Sequence, residues 1–468
     1  MERDMTTGGV PVQLIKFALP ILAANILQSG YSIVDMAVVG KFTGSPGLAA
    51  VSSAAMISFI IQSVCTGVTT GGSVLTAQFK GAGDRAGQGR TICMLAVISA
   101  AAAVLVTGLG LLLYRPALCW MNLPEAAMPH GVSYMQIMCL GTVFVFGYNA
   151  VCAVMRGLGD SSSPLIFVAV ASVLNVTLDL ILVGPLEMGT RGAALATVLS
   201  QGFSFVTALV HLFRRGFFSG FTGGARKGSL IRLFRENGRP DASVCAAILR
   251  IGLPAAIQMA VLNLSYLLVT GMLNGFGVTV AAAAGAGLKV NTFAAMPCWA
   301  VGQAVTAMAG QNAGAGDLSR TGKTARTGVF LALGATFFMM LFVQTFAEQI
   351  ISVFDSDPET VRQGVIYLRV CCSLNCLVYA VMYTIDSFAT GVGDSFFAMC
   401  NALLHSLVLR LFLSWLLGTV LSGGFMGIYW AECLASVVPA LVGTAYYFSS
   451  RWKEKAAAAA ARGAGTDE

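Results

Sequence analysis

The chain has 468 residues, of which 56% are hydrophobic and only 10% charged, with a mean hydropathy of +0.78 and a formal net charge of +7. Soluble domains carry about a quarter of their residues as charges, so this balance excludes a water-soluble enzyme or binding module. It requires a polytopic membrane protein.

From the N-terminus, MERDMTTGG is polar and mixed in charge. The apolar run behind it is too long for a signal sequence and lacks a small-residue cleavage site, so a retained helix is expected. Spans of about 20 apolar residues are predicted at 13–39, 48–74, 91–113, 128–154, 163–184 and 191–213. A basic, Gly-containing stretch over 214–245 then breaks the pattern. It reads as a linker, with a short amphipathic piece near Leu230–Phe234 suited to the inner membrane surface. Six more spans follow at 246–272, 279–309, 325–347, 361–389, 395–420 and 425–448. The Ala-rich tail after Trp452 is expected to fray. The predicted organisation is a six-helix lobe over 1–213, a cytoplasmic linker over 214–245, a second six-helix lobe over 246–448 and a cytoplasmic tail over 449–468.

The chain is written twice. Pro20 in KFALPILAAN reappears as Pro254 in RIGLPAAIQM, an offset of 234, and Asp84 in KGAGDRAG reappears as Asp317 in AGAGDLSR, an offset of 233. Asp160 in MRGLGDSS and Asp394 in ATGVGDSF again differ by 234. Self-similarity at one period in an apolar chain marks transporters whose site lies between two repeats. Six spans per repeat make the repeats parallel, related by an axis along the membrane normal, with both termini on one face. Loops on that face hold most of the basic residues, among them Lys80, Arg85, Arg90, Arg156, Arg226, Lys227, Arg320 and Lys323, against Lys41, Arg115, Arg191, Arg362 and Arg369 opposite. By the positive-inside rule both termini are cytoplasmic and the chain sits in the cell membrane. The same loops explain the net charge as attraction to anionic lipid heads; without interleaved stacking aromatics, no nucleic acid partner is expected.

The twelve cysteines are scattered without paired CxxC spacing, and Cys371, Cys372 and Cys376 have no histidine partner, so they read as small buried hydrophobes and no metal or cofactor is expected. His130, His211 and His405 lie near different span ends and form no HExxH. The GLGD and GVGD runs join apolar spans without a following Lys, which makes them turns and not phosphate loops. No catalytic constellation is visible, so an enzyme is disfavoured.

What remains are polar groups inside the spans, where charge is costly and marks an ion or substrate path. Asp35 in the first span, Asp179 in the fifth and Thr197 in the sixth share a depth near the outer side. Asn175 lies four residues before Asp179 on the same helix face, and Gln28 lies two turns deeper than Asp35. Two carboxylates with two neutral oxygens suit either a shared proton or a sodium ion held by hard oxygen ligands; capping of helices at the outer interface is the bland alternative. In the second half Lys289, Arg410 and Glu432 lie at similar depth, which allows Glu432 to pair with Arg410 and Lys289 to face a cleft. Asp386 lies near the cytoplasmic end of its helix, open to a gate role or to plain solvation.

The spacing Pro20, Gln28, Asp35, the NxxxD of Asn175 and Asp179, Thr197 and the twin GAGD turns resemble the multidrug and toxic compound extrusion (MATE) family of the multidrug/oligosaccharidyl-lipid/polysaccharide flippase superfamily, over nearly the whole chain. The resemblance implies an all-α membrane protein with twelve transmembrane helices in two pseudo-symmetric six-helix lobes around a central cleft, and drug efflux driven by inward flow of protons or sodium. It is nearest to the archaeal-type and DinF-like branch. That branch implies a cation site in the N-terminal lobe, here Asp35, Asn175, Asp179 and Thr197, and a bend at Pro20; Asn149 matches a polar cleft position of the fourth helix. The NorM-type acidic positions are Leu262 and Tyr379 here, so coupling through the C-terminal lobe in that manner is doubtful. The expected substrates are amphipathic, often cationic drug-like molecules, met in a cleft lined by Gln28, Asn149 and Lys289, and the protein is expected to act as a monomer. The alternative is a lipid-linked glycan or polysaccharide flippase, which should line its cleft with several Arg or Lys for pyrophosphate; the N-terminal spans hold none.

Overall fold

The computed structural model describes residues 4–121, 123–214, 234–235, 241–355 and 357–463. The expected linker falls largely outside these residues, as does most of the Leu230–Phe234 piece. Helix begins at Val10 and runs to Gly81 with one non-helical residue, Gly44 at φ 67°, ψ −164°. A side chain rarely adopts that conformation, so this glycine turns one span, α1 (residues 10–43), into the next, α2 (45–81). There follow α3 (Arg85–Trp120), α4 (Met128–Gly157), α5 (Ser162–Val183), α6 (Gly189–Arg214), α7 (Ala242–Asn274), α8 (Val278–Gly314) and α9 (Leu318–Thr345). The tenth span, α10, is a pair, Pro358–Cys371 and Leu374–Gly391, bent by 50°. α11 (Ser395–Val420) and α12 (Gly424–Phe448) complete twelve membrane-length elements among the described residues. The all-α fold class expected from hydropathy therefore holds.

Local chemistry explains the breaks. Around the α10 bend, Gln344 Nε2 donates to the carbonyls of Leu368 (3.0 Å) and Cys372 (2.8 Å), and Asn375 Nδ2 donates to that of Cys371 (2.9 Å). Polar side chains thus take up carbonyls that a broken helix leaves in lipid. In the repeated turns Gly83, Gly159, Gly316 and Gly393 all have positive φ. Asp84 and Asp317 then cap the next helix, accepting from the amides of Gly87 (2.9 Å) and Arg320 (2.8 Å). Two turns of α11, Leu404–Leu411 and Leu416–Val420, are π-helical, a geometry frequent at functional sites.

Contacts divide the chain into two compact units, Ala23–Ala256 and Met5–Leu22 with Ile257–Glu468. The two helices of the repeated proline, Pro20 and Pro254, change unit two residues past it, α1 after Leu22 and α7 after Ala256. Within the first unit, α2 lies against the start of α7 through glycines. A Cβ on Gly67 would stand 2.3 Å from Ala256 Cβ, and one on Gly71 2.2 Å from the Ile248 carbonyl oxygen. Such approach needs small residues. Within the second unit, the Met5 amide donates to Gln311 Oε1 (3.0 Å), and the Arg320 guanidinium donates to the carbonyls of Met5, Thr7 and Gly8.

The tail departs from expectation. Arg451–Gly463 is helical (α13), with Trp452, Ala456 and Ala459 buried. Trp452 joins the cluster of Phe17, Phe388 and Tyr446, and its indole N–H donates to the Tyr447 carbonyl (2.8 Å). The Ala-rich composition looked featureless, but Ala at 456 and 459, with Trp452, gives the helix a flat face that seats closely. Arg451 adds a bond of 2.7 Å to the otherwise buried Asp394.

Candidate cation site

α5 presents Asn175 and Asp179 on one face, both buried. Asn175 Nδ2 donates to Thr197 Oγ1 on α6 (3.4 Å), whose hydroxyl donates to the Ala193 carbonyl (3.1 Å). The amide nitrogen is thereby used, which leaves its oxygen free. From α1, Asp35 brings its carboxyl within hydrogen-bonding reach of Asp179. Asp35 Oδ1, both oxygens of Asp179, Asn175 Oδ1 and Gln201 Oε1 are buried and accept no hydrogen bond among the described residues. All these atoms belong to the first unit.

A buried acceptor without a donor costs about 1–3 kcal/mol, and more if charged. Two facing carboxylates add repulsion on the order of 4 kcal/mol at about 4 Å with an effective dielectric of 20. The arrangement lacks positive charge, and a proton or a small hard cation would supply it. Among the described residues there is no group of three or more His, Cys, Asp or Glu able to hold a metal ion. The donor set is two carboxylates and neutral oxygens, which fits a transported cation.

The family model described as MatE matches residues 20–181 and, a second time, 254–416. This chain belongs to the MatE family. The two matches begin 234 residues apart, the period of the repeat. The probable multidrug resistance protein YpnP of Bacillus subtilis is 29% identical over 456 residues, covering 96% of this chain and 97% of that protein. A second Bacillus subtilis protein, the probable multidrug resistance protein YoeA, is 30% identical over 354 residues, covering 74% and 73%. Among solved structures, a multidrug/oligosaccharidyl-lipid/polysaccharide superfamily transporter of Pyrococcus furiosus superposes with a TM-score of 0.87 at 19% identity, covering 96% of this chain and 98% of that one. That likeness establishes the fold. MATE proteins are transporters, not enzymes, and the chain is a multi-pass membrane protein related to probable multidrug resistance proteins.

In this MATE protein the four residues expected at the cation site lie together. The three expected to meet the substrate are each accessible or partly so. Gln28 is exposed beside Tyr31, Asn149 is half-buried with its Nδ2 donating to the Val145 carbonyl (2.8 Å), and Lys289 is an exposed residue of the other unit. Pro20 sits in regular helical backbone, in the segment that packs with the second unit. Sequence reasoning missed Tyr31, Tyr134 and Gln201. Tyr31 lies within reach of Gln28 and Gln201 and close to both aspartates, and Tyr134 lies near the same pair. Tyr31 is four residues before Asp35 and Gln201 four after Thr197, so helical spacing carried the signal.

In the second unit, Arg410 and Glu432 lie one residue past the repeat counterparts of Asn175 and Thr197. They form a bidentate pair, Nε to Oε2 at 2.6 Å and Nη2 to Oε1. The guanidinium also stacks on Tyr266, 3.7 Å from the ring centroid. Here the protein supplies both charges, where the first unit supplies only acids. Asp386, read as a gate or a solvated helix end, is buried and accepts from Asn401 Nδ2 at 2.8 Å.

Proposed function

We propose that this MATE protein is an antiporter that exports amphipathic, often cationic small molecules by alternating access, driven by inward movement of protons or sodium through Asp35, Asn175, Asp179 and Thr197. The observation that carries this reading is the buried group of unpartnered acceptor oxygens, which has no internal counter-charge and which a cation would neutralise. The protein acts as a monomer in the cell membrane, with Gln28, Asn149 and Lys289 meeting the substrate. Proteoliposomes loaded with a fluorescent cationic dye and given either a proton or a sodium gradient test it. Uphill dye movement under one gradient is expected, and no movement under either would sink the proposal.

Cation and substrate must favour different states of the protein, so each weakens the other by the same factor. Pro20, which withholds one backbone hydrogen bond next to the point where α1 changes unit, is the hinge. Pro20→Ala is expected to keep dye affinity within about twofold, slow export by about tenfold and weaken the antagonism between cation and dye. Full-rate export with unchanged antagonism would make the proline structural only.

Both termini and the linker face the cytoplasm, following the basic loops. In a cysteine-free background, Ser229→Cys should resist an impermeant maleimide in intact cells and react after lysis. Labelling from outside would reverse the orientation.

A further inference from the structure

The second unit carries a groove apart from the residues of the cation site. It is an open cavity of about 640 Å³ at the start of α9, bounded by Gly322, Lys323 and Arg326 on that helix and by Tyr447, Trp452 and Lys453 at the junction of α12 and α13. Three cations converge there. Lys323, Arg326 and Lys453 are exposed, and none has an ion-pair partner among the described residues. Neighbouring Arg451 differs, being held by Asp394. The Lys453 ammonium lies 5.8 Å from the Trp452 ring, and the Tyr447 hydroxyl donates to the Gly322 carbonyl (3.2 Å), so the walls are fixed.

Depth and continuity identify the ligand. Arg326 is eight residues into α9, about 12 Å along its axis, and half-buried Tyr447 beside it is a residue type of the headgroup level. From Lys323 and Arg326 the same helix face runs on through Phe330, Phe337 and Leu341, at steps of four, seven and four residues, with Phe338 beside it, all exposed and apolar. A cationic cradle opening onto an apolar track matches one molecule, an anionic phospholipid whose phosphate sits among the three cations while its acyl chains lie along α9.

We infer that this groove binds an anionic phospholipid and that the bound lipid fastens α13 to the membrane end of α9. The inference is independent of the transport reading, since none of its residues belongs to the cation site.

Full-length protein in nanodiscs of phosphatidylcholine with added phosphatidylglycerol, released and examined by native mass spectrometry, tests it. Wild type should retain phosphatidylglycerol in preference to phosphatidylcholine. Removing a cation at the membrane surface weakens such binding by about fivefold, so Lys323→Gln/Arg326→Gln/Lys453→Gln should lose about 100-fold. Arg115→Gln/Arg362→Gln, the same chemistry at the other face, should lose nothing. Helicity and thermal midpoint check folding, and Lys323→Gln alone, with its fivefold loss, serves if the triple variant misfolds. Inorganic phosphate at matched ionic strength should not displace the lipid. Displacement would instead make this a free-phosphate site, and equal retention of both lipids, or loss in the control variant, would overturn the inference.

Discussion

Asp179→Asn should abolish gradient-driven transport while the protein still folds and inserts. The substitution keeps the volume of a fully buried side chain but removes its charge, and neither of its oxygens holds a hydrogen bond that the amide would break. With Asp179 neutral, repulsion against Asp35 vanishes, and the demand for a cation goes with it. Export against a gradient should fall to the level of empty liposomes. Asp35→Asn should do the same, and the double variant should be no worse than either single one, since residues acting as a unit are not additive. A ligand that binds only the folded protein raises its stability by RT ln(1 + [L]/Kd), about 2.7 kcal/mol at 100 Kd. Wild type should therefore gain thermal stability with the coupling cation, sodium at fixed pH or acid at fixed sodium, and both variants should lose that response. The two titrations also separate sodium from proton coupling. Wild-type export rates in either variant, or a cation response that survives both substitutions, would reduce these carboxylates to helix furniture.

The second large effect concerns stability and the other unit. Glu432→Gln should destabilise the protein by about 3–5 kcal/mol, because it strands a buried guanidinium without its counter-ion. Arg410 is 1% exposed and Glu432 14%, so solvent screens the pair little. Replacing both partners with apolar residues, Arg410→Met/Glu432→Leu, should come within about 1 kcal/mol of wild type or exceed it, since the desolvation cost of both charges disappears. Thermal midpoints in detergent, with far-ultraviolet circular dichroism at the start temperature, decide this. A Glu432→Gln protein as stable as wild type would mean that Arg410 finds another partner or water. If the double variant were as damaged as the single one, the π-helical turns of α11 would depend on the pair for their geometry.

The contrast between the two units shows how far one sequence can be read. Hydropathy, the 234-residue period and the basic loops are properties of the chain order, because a span must be predominantly apolar over about 20 residues whatever surrounds it. They sufficed for twelve spans, the paired turns and the helix-borne NxxxD of Asn175 and Asp179. Depth along straight helices brought Asp35 and Thr197 to the same level and allowed Arg410 to meet Glu432. Rotation about each helix axis is different. It is set by packing against neighbours, so which face of each helix met the aspartates, and whether Tyr134 joined them, was decided only by the tertiary structure. The same holds for the change of unit at Leu22 and Ala256, which depends on which partner buries Phe17 and which approaches Gly67 closely enough. It holds again for the tail, where alanines that carry no periodic signal became an ordered helix once Trp452 found a cavity beside Phe388.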